Sequence, residues 1–131
     1  MVLMKKHTPQ EIYEGALKER AKPDPLKKRQ ACEKGWLATT EAVDAFLATH
    51  NKFVRKDTAD AHSDRRKFLA ELAEVDPNVD KLMDLVSIVA DQLHGGCFYG
   101  GVEIPHNDTV LKKTVRQILE LTGSWDNGQE E

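Results

Sequence analysis

The sequence predicts an all-α fold of five helices from two observations. Apolar residues recur at three- and four-residue steps through most of the chain, which is the spacing of an amphipathic helix. No segment shows the alternation of apolar and polar residues that is typical of a half-buried strand. Because 131 residues is the length of one domain, we expect a single helical bundle with its core over about residues 8–123 and a frayed acidic tail over 124–131.

The first two helices have clear start and stop signals. Thr8 followed by Glu11 predicts a capping box, which begins a helix. Two prolines in segment 22–25 end this helix, because proline cannot continue it. The second helix is predicted from about Leu26 to His50, with an apolar face and a face of small residues that suits close contact with another helix of the chain or of a second subunit. The small residues are Ala31, Ala38, Ala42 and Ala45.

Three further helices are predicted in the second half of the chain. The third runs from Asp64 to Val75, and a proline break follows it at 76–78. The fourth begins at Val79, ends at the glycine pair 100–101 and has the strongest apolar periodicity. The fifth runs from Thr109 to Leu121 and ends on a glycine, which is typical of helix C-termini.

Charge and hydropathy narrow the functional class. The net charge is −3, with an excess of basic residues over 1–34 and of acidic residues over 35–131. A nucleic-acid-binding protein is usually basic over most of its surface, so any contact with nucleic acid would use a local patch. With no run of about 18 apolar residues and no recognisable signal peptide, we expect no membrane span and a cytoplasmic location. In that reducing compartment Cys32 and Cys97 are expected to be buried thiols.

The stretch 93–101 is the most unusual in the sequence. It places an imidazole, two aromatic rings and two glycine pairs at the end of an apolar helix, where glycine is unfavourable without a packing or functional reason. Asp91 and His94 lie one helical turn apart. Asp91 could fix the tautomer of His94 for acid–base chemistry, the two could belong to a metal site, or His94 could be structural. Since no second helix supplies a matching pair, we expect no metal and no cofactor.

Two other placements suggest chemistry. Glu33 and Trp36 lie one turn apart on the second helix; we expect Glu33 at the solvated edge, the alternative being a buried carboxylate that faces His94. Arg55 and His62 have a spacing that could hold a phosphodiester, with Arg55 stabilising the phosphate and His62 exchanging a proton. Arg65 and Arg66 nearby would add phosphate contacts. A surface loop is the plainer interpretation of that segment.

Two motifs in this order resemble those of the archaeal PaREP-type proteins, at the border of the HEPN superfamily of small helical bundles. The first is similar to Ala-x-Glu-Lys-x-Trp-x-Ala and consists of Ala31, Glu33, Lys34, Trp36 and Ala38. The second is similar to Leu-His-x-x-Phe-Tyr with one additional residue and consists of Leu93, His94, Phe98 and Tyr99. The resemblance covers about residues 10–122 and implies an HEPN-like up-and-down bundle that forms a homodimer.

Many HEPN proteins are ribonucleases or toxins that use an Arg-x4–6-His motif on a late helix. The positions with that spacing before His94 are Val89, Ile88 and Ser87, so the chain departs from the motif there. Arg55 and His62 have the required spacing but fall in an earlier part of the fold. We therefore expect that the protein is not an enzyme of this kind.

The resulting hypothesis is a non-catalytic HEPN-like protein that dimerises and binds a partner, a nucleotide or RNA through a polar pocket. The residues expected to line this pocket are Glu33, Trp36, Asp91, His94 and Tyr99. The alternative is a metal-independent ribonuclease or toxin-type enzyme, with His94 or His62 as the acid–base group and Arg55 as the phosphate clamp. A third hypothesis is an antitoxin-like partner of a nucleotidyltransferase.

Overall fold

The computed structural model describes residues 7–126, and over this range the chain is all-helical, as predicted, with five helices and no strand. The helices are α1 (Pro9–Arg20), α2 (Pro25–Thr49), α3 (Ala61–Ala73), α4 (Pro77–Val89, continued by Ala90–Tyr99) and α5 (His106–Thr109, Val110–Val115 and Arg116–Leu121). The segments Ala90–Tyr99 and Val110–Val115 are π-helical, which means that their backbone hydrogen bonds span five residues instead of four.

The helix starts follow the local sequence. The Thr8 hydroxyl accepts a hydrogen bond from the Glu11 backbone N–H (3.1 Å), and the Glu11 carboxylate accepts one from the Thr8 N–H (2.9 Å), which confirms the capping box of α1. Asp24 caps α2 and Asp76 caps α4, each followed by a proline at the start of the helix. In contrast, α3 begins at Ala61, earlier than predicted and without a side-chain cap.

Helix α2 is the centre of the bundle and packs against all four other helices. Ala31, Ala38 and Ala42 of its small face are fully buried within the single chain, whereas Ala45 is exposed. At Gly35 a Cβ atom would lie 2.7 Å from the Leu111 Cδ1 atom, so a larger residue would require the Leu111 side chain to shift where α2 crosses α5. The small face therefore serves close packing inside the chain.

Helices α3 and α4 form a hairpin with a connection of three residues, 74–76. A connection this short makes neighbouring helices antiparallel, so the N-terminus of α3 lies beside the later part of α4. Arg29 of α2 holds that later part by donating hydrogen bonds to the carbonyl oxygens of Phe98 and Tyr99. A cation at this position also interacts favourably with the C-terminal end of the helix dipole.

The C-terminal tail is more ordered than expected. Gln10 donates a hydrogen bond to the Asp126 carbonyl (3.2 Å) and accepts one from the Asp126 N–H (2.7 Å). Trp125 packs edge-on against Tyr13, with 5.9 Å between ring centroids, and against the guanidinium of Arg116. Residues 125 and 126 therefore contact the bundle, while residues 127–131 lie outside the described range and their fraying stays a prediction.

Cys32 and Cys97 form a disulfide, so the expectation of two buried thiols is wrong. The bond joins α2 to the π-helical part of α4 across a sequence separation of 65 residues, and both cysteines are buried. The expectation came from the assumed reducing compartment. Pairing depends instead on the distance between two helices, which the periodicity of each helix does not contain.

None of the helices within residues 7–126 is both long enough and apolar enough to cross a membrane.

Reduction of the Cys32–Cys97 disulfide is expected to lower the free energy of unfolding by about 4 kcal/mol, because a link across 65 residues removes chain entropy from the unfolded state. Urea unfolding followed by far-UV circular dichroism, with and without dithiothreitol, measures the difference. A Cys32→Ala/Cys97→Ala double variant is the control, since the reductant should leave its unfolding curve unchanged. Equal stability of the oxidised and reduced wild-type protein would contradict the prediction.

Candidate functional site

A cavity of about 490 Å³ lies between α3 and α4 and falls within the size range of small-molecule sites. The α3 wall consists of His62, Arg65, Arg66 and Leu69. The α4 wall consists of Met83, Val86, Ser87, Ala90, Asp91 and His94. The residues of each wall recur at three- and four-residue steps, so they lie on a single face of their helix. Trp36 of α2 completes the lining.

Apolar and polar residues occupy opposite ends of this groove. Leu69, Met83 and Val86 lie toward the α3–α4 connection, where the hairpin is closed. The two histidines, His62 and His94, lie at the other end, where the start of α3 faces the π-helical part of α4. The groove therefore has an apolar closed end and a polar end that carries imidazoles.

Trp36, His62 and His94 form an aromatic cluster at the polar end. The indole centroid lies 5.6 Å from the imidazole of His62 and 5.2 Å from that of His94, with interplanar angles of 23° and 29°. The two imidazole centroids are 5.9 Å apart. Because these three distances are nearly equal, both imidazoles lie side by side over the same face of the indole, in the range of favourable ring contacts.

The carboxylate of Glu33 accepts a hydrogen bond from Nδ1 of His94, which lies 3.0 and 3.1 Å from its two oxygens. Burial raises the pKa of Glu33, and the positive charge and hydrogen bond of His94 oppose this rise. The bond places the proton on Nδ1 and leaves Nε2 as the second nitrogen of the imidazole. The expectation that Glu33 lies at the solvated edge is therefore wrong, and the alternative in which it faces His94 is confirmed.

Asp91 and Tyr99 flank His94 without a hydrogen bond to it. Asp91 lines the cavity and makes no hydrogen bond or ion pair within residues 7–126. Glu33, not Asp91, accepts the hydrogen bond that fixes the tautomer of His94. In the wider π-helix, residues three positions apart no longer lie directly above one another, so Asp91 does not face His94. The ring of Tyr99 meets His94 edge to face at 4.9 Å and is 67% exposed.

His62 is neutral near neutral pH. Its pKa is lowered from the ordinary value of 6.5, first by burial and then by the positive charges of Arg65, His94 and Arg66, against which Asp44 acts in the opposite direction. The cavity thus presents two imidazoles in different environments: one held by a carboxylate and one surrounded by cations.

Arg65 and Arg66 both line the cavity but differ in their partners. Arg65 binds the two carboxylate oxygens of Asp44 at 2.6 and 2.9 Å, and the Asp44 side chain is only 3% exposed. Breaking a buried pair of this kind is costly, so Arg65 is committed to Asp44. Arg66 makes no hydrogen bond or ion pair over the described range 7–126 and is exposed. Arg66 is therefore the cation that a ligand can engage.

Arg55 does not line this cavity. Its guanidinium binds both carboxylate oxygens of Asp64 at 2.7 and 2.9 Å and lies 3.4 Å from Asp60. These carboxylates raise the pKa of Arg55, and hydrogen bonding to Arg55 lowers the pKa of Asp64 to about 2. The structure thus does not bring Arg55 to the groove that His62 lines.

Sequence reasoning considered Arg65 and Arg66 as phosphate contacts near Arg55 but did not place them on one helix face with His62, although a signal was present. His62, Arg65, Arg66 and Leu69 have the spacing of one helix face. The third helix was predicted to begin at Asp64, which left His62 in a loop and hid the pattern. Buried Asp44 on α2, the partner of Arg65, had no signal in its own helix.

Comparison with known proteins identifies no relative: no protein-family model, no curated protein and no solved structure matches the chain. The resemblance to PaREP-type and HEPN proteins therefore stays a prediction. Within residues 7–126, no group of three or more His, Cys, Asp or Glu side chains is arranged to hold a metal ion.

We expect the pKa of His62 to lie below 6.5 and to rise in an Arg66→Gln variant, because the substitution removes a positive charge that opposes protonation. NMR titration of the imidazole resonances over about pH 4–8 measures both values. A Lys81→Gln variant removes an equal charge from an exposed position of α4 outside the cavity and is the control. A His62 pKa that responds equally to both substitutions, or to neither, would show that Arg66 does not act on it.

Proposed function

We propose that this protein binds a nucleotide in the groove between α3 and α4. The observation that carries the proposal is the presence, in one cavity, of stacked aromatic rings and a guanidinium without a protein partner within residues 7–126. A nucleobase requires a flat, weakly polar surface, and a nucleotide phosphate requires a cation.

The imidazoles of His62 and His94 supply the flat surface. Trp36 lies beneath both rings and is 6% exposed, so it supports the imidazoles instead of meeting a ligand directly. Leu69, Met83 and Val86 add an apolar surface at the closed end of the groove. A base that stacks on the imidazoles would have this apolar surface beside it in the same groove.

Arg66 supplies the cation. Beside the groove lies a second depression that shares His62 and Arg66 and adds Ser63 and Lys67. A phosphate at this position would meet the charges of Arg66 and Lys67 and the hydroxyl of Ser63. This is the local basic patch that an otherwise acidic chain would need for an anionic ligand.

The homodimer and the partner of nucleotidyltransferase type stay predictions that depend on the family resemblance alone. A cytoplasmic location likewise stays a prediction. Nucleotide binding is independent of all three, since its argument uses one chain.

Arg66→Gln is expected to weaken nucleotide binding about tenfold or more, because it removes a charge-assisted hydrogen bond to phosphate. Isothermal titration calorimetry with AMP, GMP, CMP and UMP measures the affinity. Arg55→Gln is the matched control, because Arg55 is paired with Asp64 outside the cavity, and circular dichroism checks that both variants are folded. The absence of binding by all four nucleotides at millimolar concentration would refute the proposal.

A second candidate function is acid–base cleavage of RNA, and the paired imidazoles favour it. His62 is neutral and could accept the proton of a ribose 2′-hydroxyl as that oxygen attacks phosphorus. His94, 5.9 Å away and bonded to Glu33, could donate a proton to the departing 5′-oxygen. In this mechanism Arg66, not Arg55, would stabilise the phosphate charge.

If the protein cleaves RNA, His62→Ala and His94→Ala should each reduce the rate at least about 100-fold, because each removes one proton-transfer group. A fluorescently labelled RNA oligonucleotide, assayed with a chelator present, reports cleavage, and a DNA oligonucleotide of the same sequence should stay intact. His50→Ala alters an exposed histidine outside the groove and serves as the control. Cleavage that both cavity variants retain would come from a contaminant and would exclude this function.

A further inference from the structure

We infer that the nucleotide is a guanine nucleotide and that Asp91 selects it. This inference rests on the proposed nucleotide binding and adds the identity of the base. The two walls of the cavity carry different hydrogen-bonding groups.

The polar groups of the α4 wall can all accept hydrogen bonds. Asp91 carries a carboxylate without a partner within residues 7–126, and both of its oxygens can accept hydrogen bonds. Nε2 of His94 accepts when the imidazole is neutral, while Nδ1 donates to Glu33. Ser87 carries the remaining polar side chain of this wall, and its hydroxyl can accept as well.

The α3 wall has the opposite character. Arg65 and Arg66 present guanidinium groups, which only donate hydrogen bonds. Arg66 and Asp91 line the same cavity from opposite walls, yet no ion pair joins them within the described residues. A ligand that fits both walls must therefore present an anion toward α3 and N–H donors toward α4.

Among the common bases, guanine presents the donors that a carboxylate requires. Its Watson–Crick edge carries the N1–H and the N2 amino group side by side, which match the two oxygens of Asp91. Adenine has an unprotonated N1 at this position, which a carboxylate repels, and uracil offers a single N–H. Bidentate pairs of this kind discriminate between bases by about 1–3 kcal/mol, roughly 5- to 150-fold in affinity.

The test compares GMP, IMP and AMP by calorimetry on the full-length chain. Inosine lacks only the 2-amino group of guanosine, so IMP isolates one of the two hydrogen bonds to Asp91. We expect GMP to bind at least about tenfold more tightly than AMP, with IMP between them. In the Asp91→Asn variant the amide provides one donor and one acceptor. The variant should therefore bind GMP about tenfold more weakly than the wild type does, and its affinity for AMP should not fall.

Asp84→Asn is the matched control, because Asp84 lies on α4, is exposed and does not line the cavity. Arg66→Gln should weaken the binding of GMP and of AMP to the same degree, since both nucleotides carry the same phosphate. Equal binding of the three nucleotides, or a guanine preference that survives in Asp91→Asn, would overturn the role of Asp91 and leave nucleotide binding standing. Failure of all three to bind would refute the proposed function, and the guanine inference with it.

Discussion

The covalent link between Cys32 and Cys97 determines how α2 meets the end of α4, and the candidate site depends on that meeting. Glu33 follows Cys32 directly, and His94 precedes Cys97 by less than one turn of the helix. The hydrogen bond between Glu33 and His94 thus spans the same junction as the disulfide. Arg29 reinforces it through the carbonyl groups at the end of α4.

This junction also explains how a half-buried carboxylate is tolerated beside an aromatic cluster. Removing a carboxylate from water is costly unless a partner compensates, and His94 provides the compensation for Glu33. Trp36 then limits the movement of the imidazole by stacking against it. The result is a histidine whose hydrogen bond and ring orientation are both held by contacts within the protein.

The fold was largely predictable because its signals are local. Capping at Thr8, the prolines that begin the helices and the apolar periodicity each act within a few residues. The contacts of the site were not predictable in the same way, since Glu33 and His94 are 61 positions apart in the sequence, which leaves the relative rotation of their two helices undetermined. The periodicity of α2 is compatible with Glu33 at the solvated edge and with Glu33 facing His94. Only the packing of α2 against α4 distinguishes the two positions.

The contacts that sequence reasoning missed have a common physical cause. The disulfide and the Arg65–Asp44 pair are both contacts between helices, and a pattern within one helix contains no information about either. Trp125 and Asp126 lie in a polar, acidic tail that composition alone predicts to fray, but contacts with Tyr13, Arg116 and Gln10 join these two residues to the bundle. Composition describes an average tendency, whereas two or three specific contacts decide a particular segment.

The missing side-chain cap at the start of α3 has a dynamic consequence. The α4 wall of the groove is covalently tied to α2, whereas the start of α3 is held without a covalent bond, through the ion pairs of Arg65 with Asp44 and of Arg55 with Asp64. The first turns of α3 are therefore the part of the groove that can separate from α2 without breaking a covalent bond. The two walls differ in their attachment: one is fixed to the bundle covalently, and the other by charge and packing alone.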